Sequence, residues 1–233
     1  MKKRILPLML CLAALLSGCS GKTVMRCEDF KLTNTDFSYY YWSEFFYYKG
    51  VYEDYESNVD FEKPLDEQMY DETTTWQEFM KDRTINMVEE TMSLVFAAQD
   101  AGHEMSQEYA DELDDVIVNF TDAAMGQEYK NVDAYLKASY GKGAKEDTFR
   151  QYLYCTHLAS SYADVLYEQS VPTEEEVQAV MEREPDYEGG AEQAAKDLHG
   201  ENYNNAILNV INAYDFIVNE ENIRITAPKG LYE

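Results

Sequence analysis

Basic side chains, histidines and cysteines are all scarce in this chain of 233 residues. Its 19 Lys and Arg stand against 45 Asp and Glu, a formal net charge of −26. Such a surface repels phosphate and releases no counterions from it, which excludes nucleic acid as a partner and docking of the protein body on anionic headgroups. The 3 histidines, His103, His157 and His199, have no second His or Cys at metal-ligand spacing, and neither a metal nor another cofactor is expected. A glycine-rich phosphate loop, a nucleophile elbow and a calcium loop of EF-hand type are also missing. The many carboxylates allow acid–base pairs, but no pair stands out. Only Cys27 and Cys155 follow Cys19, and these two either pair in an oxidising compartment or stay as thiols.

Long apolar runs are missing as well, with one exception at the start. Lys2, Lys3 and Arg4 precede the run Ile5 to Leu16, followed by Ser17, Gly18 and Cys19. A basic segment, a dozen apolar residues and small residues before a cleavage site form a secretory leader, too short for a permanent membrane span. Leu16-Ser17-Gly18-Cys19 resembles the bacterial lipobox. That resemblance implies acylation of the Cys19 thiol and attachment to the extracytoplasmic face of the cell membrane through the lipid alone. Removal of residues 1–18 takes away three basic residues and no acidic ones, leaving 45 acidic residues against 16 basic.

Aromatic residues are abundant: 20 Tyr, 10 Phe and 2 Trp, enough for a sizeable core despite the charge. Helical periodicity dominates the rest. Val24 to Leu32 reads as a small β element around Glu28-Asp29. Asn34 or Thr35 is expected to cap an aromatic helix that stops near Gly50, and 51–72 reads as a surface loop. Thr73-Thr74-Thr75 caps a long helix with Trp76, Met80, Met87, Leu94 and Ala98 inward, ended by Gly102. Further helices run from Ser106 to Gly126, from Asn131 to Tyr140, and through Phe149 to Leu166. Thr173 and Glu176 make a capping box for a helix stopped by Pro185. Residues 185–200 read as a link. A last helix carries Tyr203 to Tyr214, and Phe216, Val218, Ile223 and Ile225 alternate as a small strand.

This order of pieces resembles the chaperone module of the SurA and PrsA foldases, extracytoplasmic relatives of parvulin-type peptidyl-prolyl isomerases. Phe30 to Phe37 looks like that family's strand-then-helix opening. Thr75 to Gly102 resembles its long second helix, and Val132 to Val177 its run up to the isomerase domain. Ile207 to Ile225 is similar to the final helix and strand. The resemblance implies a mainly α fold, a SurA/trigger-factor-like helical module with a small β element built from the N- and C-terminal segments. The expected divisions are leader 1–18, lipidated tether 19–26, helical module 27–184, link 185–202 and returning helix and strand 203–233. The link stands where the isomerases carry a parvulin domain, so no proline isomerase site is expected.

The stretch Phe37 to Tyr48 carries more rings than one face of a helix can bury. If Phe37, Tyr41, Phe45 and Tyr48 form the packed stripe, Tyr39, Trp42, Phe46 and Tyr47 fall on another face, able to hold apolar segments. If the helix is central, every ring is core. The resemblance implies partners that are unfolded or newly secreted polypeptides, held without catalysis. The alternative is an adaptor that binds one folded envelope partner.

Overall fold

A computed structural model describes residues 22–52 and 59–232; Cys19, the leader and the first residues of the tether lie outside them. Among the described residues there are seven α-helices and one three-stranded antiparallel sheet. None of these helices is long and apolar enough to cross a membrane. By contacts the chain divides into two units. Unit 1 takes residues up to Glu89, Gln107–Tyr154 and Phe216 onward; unit 2 takes Glu90–Ser106 and Cys155–Asp215.

Unit 1 begins with β1 (Thr23–Cys27) and β2 (Phe30–Thr33), joined through Glu28, which adopts the left-handed conformation at φ 50°. Met25 pairs with Leu32 and Cys27 with Phe30; on the other edge of β1, Met25 pairs with Val218 of β3 (Ile217–Val218). The return of the C-terminal segment to the N-terminal hairpin is thus observed, though its ladder is only two residues long. A 3₁₀ turn at Glu220–Asn222 ends it, and Ile223 is buried just beyond. The Asn222 amide donates to the Thr23 carbonyl at 3.0 Å, and Asn219 N–H to the Val24 carbonyl at 2.7 Å.

The aromatic helix α1 (Asn34–Tyr52) is capped one residue earlier than expected. Thr33 donates its N–H and hydroxyl to the Asp36 carboxylate at 2.9 and 2.7 Å. Asn34 instead exchanges two hydrogen bonds with the backbone of Arg224, at 2.8 and 2.6 Å, which ties the C-terminal segment to the helix start. The helix continues two residues past Gly50.

The long helix α2 (Trp76–Asp100) opens on a reciprocal cap between Thr75 and Glu78. Helix α3 (Gln107–Gly126) buries Ile117 and Ala124, and Asn131 caps α4 (Val132–Tyr140) by accepting from Ala134 N–H at 2.9 Å. The first turns of α5 (Glu146–Gln169) complete unit 1, with Phe149 seated against Phe120 at 4.7 Å between centroids.

Unit 2 is built from the ends of α2 and α5 together with α6 (Glu174–Arg183) and α7 (Gly190–Ile211). Met92, Val95, Ala98, Leu158, Ala159, Val180 and Ala194 are buried in it. Thr173 and Glu176 form the expected capping box of α6. Only Glu184–Gly189 separate the helices: α7 begins at Gly190, within the stretch 185–202 read as a link, and runs on through the last helix expected from Tyr203. Glu192 and Lys196 pair at 2.7 Å across one turn, and Gln193 bonds Asp197 at 2.9 Å, so the polar composition that reads as a link is the solvated face of a helix.

Candidate functional site

Helix α1 decides which rings are available to a partner. Phe37, Tyr39, Tyr40, Tyr41, Trp42 and Phe45 are each 3 % exposed or less, so this helix is wrapped on nearly every side. The sequence expectation for Tyr39 and Trp42 is therefore corrected: both belong to the core of unit 1. Tyr39 has a specific task there. Its ring lies 5.0 Å from Tyr140 and 5.3 Å from Phe149, and its hydroxyl sits 2.7 Å from Thr148 Oγ1 while accepting from Lys145 N–H at 3.2 Å. That phenol organises the start of α5 and satisfies its own polar group inside the core. Trp42 packs edge-on against Tyr41 and Phe45 at 5.0 and 5.1 Å.

Phe46 and Tyr47 are the exception, exposed at 42 % and 63 %. Both hang from buried neighbours, Phe46 from Phe45 at 5.4 Å and Tyr47 from Tyr48 at 6.1 Å. The aromatic chain continues through Phe79, 6.3 Å from Tyr48, to Tyr70, which stacks on Phe79 at 4.1 Å with only 14° between planes. Tyr70 and its neighbour Met69 are themselves exposed, at 43 % and 51 %. Rings in mutual contact thus link exposed Tyr47 through Tyr48 and Phe79 to exposed Tyr70, while exposed Phe46 joins the buried rings of Trp42 and Phe45.

The pair Met69 and Tyr70 lies in the stretch that the sequence reads as a surface loop. A tight turn holds it. Asp71 Oδ1 accepts from Thr73 and Thr74 N–H, both at 2.8 Å, Tyr70 N–H donates to the Thr74 carbonyl at 2.8 Å, and Met69 bridges to Thr75. Gln68 fastens the base of the turn by exchanging two hydrogen bonds with the Asp60 backbone, at 2.7 and 2.8 Å. The signal for this was present as Met69-Tyr70-Asp71 followed by Thr73-Thr74 and Trp76: turn-forming side chains flanked by large apolar ones. Trp76 supports Tyr70 at 4.9 Å from a buried position, and its indole N–H has no acceptor among the described residues, so that ring is held by packing.

Electrostatics around these rings are set by paired cations. Arg83 lies 5.1 Å from the centre of the Tyr48 ring and is bound to Glu44; Lys49 is bound to Glu62, and Lys63 to Asp60 at 2.7 Å. Backbone N–H donors from Thr73 and Thr74 hold the Asp71 carboxyl below its usual range, and those from Thr75 do the same for Glu78. Among the described residues no group of His, Cys, Asp and Glu is arranged to hold a metal ion. His103 is bonded to Ser161 and His199 to the Tyr167 carbonyl, both within unit 2. The exposed side chains Phe46, Tyr47, Met69 and Tyr70 offer apolar contact area. Compared with protein-family models, curated proteins and solved structures, the chain matches none of them.

Proposed function

We propose that this protein is a lipid-anchored, chaperone-like protein of the extracytoplasmic membrane face that holds unfolded or newly secreted polypeptides without catalysis. The observation that carries the reading is a set of exposed apolar side chains: Phe46 and Tyr47 project from the packed aromatic helix α1, and Met69 and Tyr70 from the turn before α2. Amphipathic rings and a thioether give large contact area with little directional demand, which suits clients that share apolar character rather than a sequence. The lipobox-like Leu16 to Cys19 supports the anchor. The helix order, with the N-terminal hairpin joined by β3, supports kinship with the SurA and PrsA chaperone module.

The test is light scattering of aggregating unfolded clients, with the protein held in phosphatidylcholine nanodiscs and empty nanodiscs as control. Suppression for several unrelated clients at a few molar equivalents is expected. Failure with every client sinks the reading and leaves the dedicated adaptor for one folded partner.

A further inference from the structure

We infer that the segment held on the Phe46, Tyr47, Met69 and Tyr70 surface is apolar and carries Lys or Arg beside its apolar core. The inference rests on the function proposed above and adds the chemistry of the client. In the described residues from Glu44 to Arg83 there are nine carboxylates and four basic side chains. All four cations are already engaged inside the protein: Lys49 by Glu62, Lys63 by Asp60, Lys81 by Asp82 and Glu220, and Arg83 by Glu44. An incoming acidic segment therefore finds no uncommitted cation on these elements.

An incoming cation finds the reverse. Asp66 and Glu67 belong to the turn that precedes Met69, Glu72 follows Tyr70 by two residues, and all three are exposed. Asp71 and Glu78 are held ionised by the backbone donors of their turns, so the negative charge next to the rings persists into mildly acidic solution. The exposed faces of Tyr47 and Tyr70 add a second attraction, because a guanidinium or ammonium over a tyrosine ring is favourable even at exposed sites. Arg83 over Tyr48 shows that contact already made within the chain. Apolar core and cationic flank thus each meet their complement among the exposed residues between Glu44 and Arg83 of unit 1.

Three labelled peptides with one aromatic-apolar core, flanked by Lys and Arg, by Ser or by Glu, test this by fluorescence anisotropy against the protein in phosphatidylcholine nanodiscs. At low salt the basic peptide is expected to bind about tenfold tighter than the Ser peptide, the sum of two or three exposed ion pairs, with the Glu peptide weakest. At about 1 M salt, where the Debye length is ~3 Å, the three affinities converge. The triple variant Asp66→Asn, Glu67→Gln, Glu72→Gln is expected to narrow the gap at low salt, and Phe46→Ser with Tyr47→Ser to weaken all three peptides. Equal low-salt affinity for the three overturns the charge preference while leaving the holding surface in place. Binding of none, or binding indifferent to the Phe46 and Tyr47 changes, overturns both.

Discussion

Trp42→Ala is expected to destabilise the protein by about 3–5 kcal/mol, the range for deleting a large aromatic side chain from a packed core. Trp42 is 2 % exposed and touches Tyr41 and Phe45 edge-on, with Phe46 at 6.5 Å, so removal leaves a cavity that rings on the same helix cannot close by small shifts. A chemical-denaturation midpoint that falls sharply with unchanged slope is the expected readout. Phe46→Ala, by contrast, removes a ring already 42 % exposed and is expected to cost under about 1 kcal/mol. The contrast separates scaffold from surface. A Trp42→Ala protein as stable as the parent would mean that the aromatic helix is not the centre of unit 1. With Trp42 in the core, lost holding activity in a Trp42 variant reports unfolding, so surface variants must leave Trp42 intact.

Above pH 10 the protein is expected to lose stability steeply. Burial is the leading cause that raises the phenols of Tyr41, Tyr140 and Tyr152 above their ordinary value of 10; for Tyr140 the neighbouring Tyr152 adds to it. Tyr232, beside Asp66, is pushed up to about 12, again chiefly by burial. The folded state therefore keeps protons that the unfolded chain releases. Stability from these groups is fully present below pH 10 and falls as pH rises from there through the raised folded values. Denaturation midpoints followed from neutral pH to about 11 should stay level and then drop, with tyrosinate absorbance from the buried rings appearing together with unfolding. Tyrosinate absorbance from all tyrosines at pH 10 in a still-folded protein would contradict the buried placement. Tyr140→Phe, which removes one such group, should flatten the descent.

Much of the helical layout was legible because it is written in local chemistry. Thr173 with Glu176, and Asn131, cap as their spacing indicates, and Thr75 of the expected Thr73-Thr74-Thr75 cap does so together with Glu78. What escaped the sequence has physical causes. A helix apolar on all sides has no polar face to orient it, so the period in Phe37 to Tyr48 cannot say that Tyr39 and Trp42 turn inward and Phe46 and Tyr47 outward. The inward position of Tyr39 depends on Lys145, Thr148 and Phe149, more than a hundred residues later. The start of α7 was hidden because Ala191 to Gly200 buries only small Ala194 deeply, too weak a stripe to detect. The outward pair Met69 and Tyr70 was hidden by its acidic, tyrosine-rich surroundings, although the Asp71 turn that presents it is local. Of the four boundaries between the two units, those after Glu89 and Tyr154 fall inside helices, where composition gives no signal.

The central claim is that the exposed rings, and not the buried ones of the same helix, hold clients. The most direct measurement is aggregation suppression by the Phe46→Ser, Tyr47→Ser, Tyr70→Ser variant in nanodiscs, compared with the parent after far-UV circular dichroism and a denaturation curve have established that it is folded. The expected result is a folded variant that no longer suppresses client aggregation. A folded variant that suppresses as well as the parent would contradict it and move the holding surface elsewhere on the protein.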